Sequence, residues 1–169
     1  MVEAAALLRR KIPDLTVLFV GQAGPADQPY ASRVTQLVRK LGLEKNVQFL
    51  GFQRRLPELY AASDAMVLCT DEEGFGRCVL EALAMRVPVV VPRSGGHAEV
   101  LSDGETCVQF QTGDAQSLAE RLESVLCDET MSQRLVENGE RIVKELAIEA
   151  HVQRICAVYE KLLQEPRTC

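Results

Sequence analysis

Ala65-Met-Val-Leu-Cys-Thr-Asp-Glu-Glu-Gly-Phe-Gly-Arg-Cys-Val-Leu-Glu-Ala-Leu-Ala-Met-Arg-Val-Pro-Val-Val-Val-Pro-Arg-Ser-Gly-Gly96 is the stretch on which the fold turns. It opens on an apolar run at 65–69 and crosses an acidic, glycine-bearing segment at 70–76. A helical period follows: Val79, Leu80, Leu83 and Ala84 share one face. Val87-Pro-Val-Val-Val91 is then a second apolar, β-branched run without polar alternation. A strand, a helix and another uninterrupted strand predict a parallel sheet covered on both faces.

Working outward, Thr16-Val-Leu-Phe-Val20, Val47-Gln-Phe-Leu50 and Cys107-Val-Gln-Phe110 read as three more strands. Helices are expected over roughly 28–41, 55–62, 77–85, 96–102, 114–127, 129–146 and 148–164, with Asp114 as an N-cap. One α/β domain over residues 1–169 is expected, its last helices filling about 129–164.

Composition narrows the class. Apolar residues make up 47% of the 169-residue chain, charged residues 25%, and the net charge is −5. That balance leaves no basic footprint for nucleic acid or an anionic membrane. No apolar run approaches the roughly 20 residues of a membrane span. The opening Met1-Val-Glu-Ala-Ala-Ala-Leu-Leu has an early acid and no basic region, so no secretory leader is expected. The cysteines, Cys69, Cys78, Cys107, Cys127, Cys156 and Cys169, never pair at metal-site spacing. Buried, reduced thiols in a cytoplasmic protein are the expectation. Cys78 falls in the first turn of a helix, where thiol pKa values drop, although close packing is the simpler reading.

In such sheets ligands bind at the carboxyl ends of the strands. The loops at 21–29, 51–55, 70–77 and 92–96 are therefore the candidates. A helix starting at Arg77 exposes backbone N–H groups and the positive end of its dipole. Gly74 and Gly76 let a ligand reach that backbone, which makes a phosphate or pyrophosphate seat without a metal. Arg77 adds a cationic contact. Glu81, off the apolar stripe and one turn along, suits a vicinal diol such as a ribose; Glu73 suits sugar hydroxyls. Taken singly, each glutamate reads as ordinary surface.

The whole run does not. Glu73-Gly-Phe-Gly-x4-Glu81-Ala-Leu-Ala, then Val87-Pro-Val-Val-Val and Gly95-Gly96-x2-Glu99, resembles the E-x7-E signature of GT-B retaining glycosyltransferases, family 4 (glycosyl transferases group 1). The likeness extends to Leu7-Leu-Arg-Arg-Lys-Ile-Pro-Asp-Leu15, Leu41-Gly-Leu-Glu-Lys-Asn-Val-Gln-Phe-Leu-Gly-Phe52 and Leu56-Pro-Glu-Leu-Tyr-Ala-Ala-Ser-Asp64. The resemblance implies the C-terminal, Rossmann-like half of that fold, binding a nucleotide diphosphate sugar for transfer to an acceptor hydroxyl. By position, Glu73 is the catalytic candidate, holding the donor sugar, and Glu81 the ribose holder. Amides around Gly76, Arg77, Cys78 and Val79 take the pyrophosphate, and Phe75 is a further donor-binding candidate. Gly51 and Phe52 lie near the base, and Gly95 and Gly96 border the phosphates and sugar. No metal and no cofactor beyond the donor substrate is implied.

The resemblance also implies an absence. Family members have a strand with a Gly-Arg motif and a following Lys before the helix that residues 2–11 resemble, and an acceptor-binding N-terminal half. Neither is in these residues. In a doubly wound order that strand is central, so a break in the sheet is expected. The alternative reading is a non-catalytic nucleotide-binding or interaction module; a glycosidase pair at Glu73 and Glu81 fits poorly, because the two straddle a phosphate-type turn. Arg86 and Cys107 stand where the family usually has Gly, and Arg86 is expected to bear strain or to end the helix differently. His97 reads as a partly exposed residue of a helix start, His151 as surface, Asp71 and Glu72 as solvated loop acids, and Tyr159 and Phe110 as core.

Overall fold

In a computed structural model of the chain, the described residues are 1–70, 73, 74 and 76–164. The β-branched runs form parallel strands. β1 (Val17–Val20) pairs with β2 (Val47–Gly51), matching Val17 with Val47 and Phe19 with Phe49. β3 (Met66–Val67), β4 (Val89–Pro92) and β5 (Val108–Phe110) form a second sheet in the order β3-β4-β5. β1 and β3 belong to different sheets, so the expected break falls between them.

β4 shows why its sequence is unbroken. Val90 joins the core cluster of Leu118, Leu122 and Leu135, whereas Val89 and Val91 join that of Val79, Leu83 and Leu101. Alternate side chains point to opposite faces, and both faces are covered. One cover is α1 (Val2–Leu8) with α5 (Ala115–Cys127); the other is α4 (Arg77–Ala84) backed by α6 (Glu129–Glu145). α1 spans the break, placing Ala4 and Leu8 in the first core and Val2 and Ala5 beneath the two-stranded sheet with Val38, Leu43 and Val47. Val38 comes from α2 (Gln28–Lys40).

Local chemistry sets the helix ends. The Asp114 carboxylate accepts from the Gln116 and Ser117 N–H groups at 2.9 and 3.0 Å, and Asp128 accepts from Met131 N–H at 2.9 Å. After α4, Arg86 takes a left-handed conformation with φ 61°, the position a glycine normally fills. Its guanidinium reaches Glu140 of α6 at 2.5 Å. The two helices are close because α6 carries Gly139: a Cβ there would lie 2.6 Å from Leu83 Cδ2.

Some expectations fail. The helix expected at 96–102 is a single 3-10 turn, Gly96–Glu99. Of the described cysteines only Cys107 is buried; Cys78 is half-buried, and Cys69, Cys127 and Cys156 are exposed. Cys169 lies outside the described residues. Phe110 is core, but Tyr159 is exposed, because α7 (Ile148–Gln164) buries no residue. Its apolar period is genuine, with Ile148, Val152, Ile155, Tyr159 and Leu162 on view; period alone does not determine what covers a stripe.

Candidate functional site

The segment after β3 together with α4 holds most of the candidates; Phe75, with Asp71 and Glu72, lies outside the described residues. Gly76 caps α4 in a left-handed conformation, φ 70° and ψ 61°. A Cβ at Gly76 would lie 3.3 Å from both Glu73 Cγ and Val79 Cγ2, so the left-handed backbone calls for glycine and a side chain would press on both neighbours. The Gly76 N–H donates to Glu73 Oε1 at 3.2 Å, and the Val79 N–H donates to the Gly76 carbonyl at 2.8 Å. Arg77 and Cys78 then carry the N–H groups that a first helical turn does not use internally. Arg77 is exposed and its charge reaches solvent.

A second loop is tied to this one. The Gly96 N–H donates to the Glu73 carbonyl at 3.2 Å. Gly95, at φ 100°, sits so close that a Cβ would lie 2.9 Å from the Glu73 carbonyl oxygen and 2.9 Å from His97 Cε1. Glu73, Gly76, Gly95 and Gly96 therefore form one contact group at the carboxyl ends of β3 and β4. His97 is the pillar beneath it. It is 2% exposed, correcting the partly exposed expectation, because the 3-10 turn folds its ring under Gly95. Its Nε2 lies 2.9 Å from the Pro92 carbonyl, which accepts a hydrogen bond from that nitrogen.

Glu81 is exposed, one turn along α4. The hydroxyl of Tyr60, on α3 (Leu56–Ala61), donates toward Glu81 Oε2 at 3.1 Å and the Cys78 carbonyl at 3.3 Å. Tyr60 was missed in the sequence because tyrosine in a short amphipathic helix reads as packing. Its phenol is pushed above its ordinary value by burial, then by the charge of Glu81. Cys78 is likewise raised, first by burial and then by Glu73 and Glu81. Burial and then the two carboxylates outweigh the Val79 and Cys78 N–H groups that lower it, which argues against an activated thiol.

Gly51 and Phe52 close β2, across the break. Gly51 is left-handed at φ 64°, and its carbonyl accepts from Gly21 N–H at 2.9 Å. Phe52 presents its ring to solvent. Their contacts join the loops after β1 and β2, not the α4 group. Among the described residues no three His, Cys, Asp or Glu side chains converge as a metal site, and no helix is long and apolar enough to cross a membrane.

Residues 1–142 match the family of glycosyl transferases group 1. N-acetyl-alpha-D-glucosaminyl L-malate synthase of Bacillus anthracis is 34% identical over 88% of this chain, which covers 37% of that protein. The lipopolysaccharide core biosynthesis mannosyltransferase LpsB of Rhizobium meliloti is 31% identical over 90% of the chain, covering 44% of its length. Among solved structures, Anabaena HepE in complex with UDP is similar with TM-score 0.86 and 28% identity, over 95% of this chain and 44% of that one. The C-terminal domain of LpcC, a glycosyl transferase group 1 family protein from Francisella tularensis, is similar with TM-score 0.78 and 30% identity, over 86% and 76% of the two chains. The chain thus spans well under half the length of the two full-length relatives in sequence. It belongs to the glycosyl transferases group 1, and its fold is that of the Rossmann-like C-terminal domain of a GT-B glycosyltransferase.

Proposed function

We propose that this chain, as one domain over residues 1–169, binds a nucleotide diphosphate sugar and serves as the donor half of a retaining, family 4 glycosyltransferase. The carrying observation is the contact group at the start of α4. Two loops meet there, with the helix N–H groups on one side and the carboxylates of Glu73 and Glu81 on either flank. The pyrophosphate sits on the Arg77 and Cys78 amides, with Gly76 and Val79 alongside and the Arg77 side chain adding charge. Glu81 takes the ribose diol, and Gly95 and Gly96 border the phosphates. Gly51, Phe52 and Phe75 complete the base and phosphate sides. Uridine is the base to try first, because HepE is seen with UDP and with UDP-glucose.

The Glu73 carboxylate accepts from the Gly76 N–H and so stands beside the seat, within reach of the hydroxyls of a sugar on the second phosphate. The seat neutralises the leaving diphosphate with amides and Arg77, needing neither metal nor cofactor. Transfer itself requires an acceptor-binding half contributed by further polypeptide, and the protein works in the cytoplasm.

Calorimetric titration with UDP and UDP-glucose tests the reading. Glu81→Ala is expected to weaken both by about 1–3 kcal/mol, the loss of charge-assisted hydrogen bonds. Glu73→Ala is expected to leave UDP binding unchanged and to weaken only UDP-glucose. Absence of UDP binding at millimolar concentration overturns the proposal.

A further inference from the structure

We infer that Tyr60 is the positioning residue for Glu81: it holds one carboxylate oxygen so that the other meets a ribose diol, and so sets selectivity for nucleotides with intact 2′ and 3′ hydroxyls. This rests on the donor reading above and adds to it a residue from a different βα unit.

The geometry carries the argument. Glu81 stands on an exposed helix face, where a free glutamate samples many rotamers. Two cis hydroxyls are held well only by a carboxylate fixed beforehand in one orientation. Tyr60 supplies that fixation from α3. Its ring packs against the core cluster of Leu68, Val79 and Leu83, and its hydroxyl lies 3.1 Å from Glu81 Oε2. The Cys78 carbonyl, 3.3 Å from the same hydroxyl, pins the phenol at the first turn of α4. One end of the tether is therefore anchored in the core and the other reaches the diol holder. A phenol is a suitable donor here, because burial and the Glu81 charge keep it protonated at any physiological pH. Oε1 and the outer lone pair of Oε2 remain for the ribose.

Four proteins decide the matter: the wild type, Tyr60→Phe, Glu81→Ala and the double variant, titrated with UDP and with 2′,3′-dideoxyuridine diphosphate. Tyr60→Phe keeps the ring and its packing. It is expected to weaken UDP about three- to tenfold, as one lost hydrogen bond does. It leaves the dideoxy nucleotide unchanged and adds nothing in the Glu81→Ala background. Equal losses on both nucleotides, or a full additional loss beside Glu81→Ala, overturn the proposal while leaving the donor reading intact. No UDP binding by the wild type overturns the donor reading and the ribose role together. The link is also read without ligand, from the tyrosine 13Cζ resonances during alkaline titration. Glu81→Gln is expected to bring the Tyr60 ionisation down, and an unmoved resonance overturns the link itself.

Discussion

The two sheets are made of the same kind of strand and end in different environments. In the three-stranded sheet, Val89, Val90 and Val91 of β4 are each 0% exposed, with a neighbour on both edges and helices on both faces. In the two-stranded sheet, Val20 of β1 is 42% and Phe49 of β2 49% exposed. Phe19 and Phe49 stack with ring centroids 5.1 Å apart, so cross-strand aromatic contact supports what burial does not. The candidate site divides along the same line. On the proposed donor reading, the charged groups (Glu73, Glu81 and the amides around Gly76 and the Gly95-Gly96 loop) lie around β3 and β4, where the scaffold is densest. Gly51 and Phe52, proposed to lie near the base, sit at the end of the thinner sheet. Placing the electrostatic groups on the denser part keeps them oriented in advance of any ligand.

This contrast can be broken experimentally. The largest effect is expected for Leu83→Ala, under the three-stranded sheet: a loss of about 2–5 kcal/mol in urea unfolding, as a cavity opens at a wholly buried position. Phe49→Ala is expected to cost less, about 0.5–1.5 kcal/mol, since half its ring already faces water and the stack is its main contact. Equal losses would mean that the thinner sheet is as tightly committed as the other.

The last effect shows only at alkaline pH. Burial pushes the Cys107 thiol, beneath the three-stranded sheet, from its ordinary 9.0 up to about 12. The unfolded chain thus releases this proton before the folded one does. Its contribution is present in full below about pH 9 and is lost as pH rises toward about 12. Melting temperatures of the wild type and Cys107→Ala should converge over that window, and parallel curves would show that the thiol is not sheltered as described.

Much of this was legible in the sequence because the strands are β-branched and unbroken and the helices keep their period. The run at 73–96 pointed to the family, since two glycines, a helix start and two spaced acids followed by a Gly-Gly turn resemble few other patterns. The break between β1 and β3 followed from strand order. Tyr60 was not legible: its contact with Glu81 crosses 21 positions and depends on how α3 packs. Nor was His97, whose burial comes from a 3-10 turn where a regular helix would have left it outside. The exposure of α7 had no local signal either, because an amphipathic period records that a face is apolar and is silent about its neighbour.

The missing side chain at Gly139 has a reach beyond its own helix. Leu83 fills the space a methyl group would need there, two positions after Glu81 on the same helix. Gly139 is thus the shim that sets the standing height of α4 above the sheet. Any thicker shim would press on Leu83 and lift or tilt the helix, carrying its N-terminal amides and Glu81, the proposed donor contacts, away from the Gly95-Gly96 loop. The alignment of the site is in that sense adjusted from the back of the molecule, by a residue that no ligand touches.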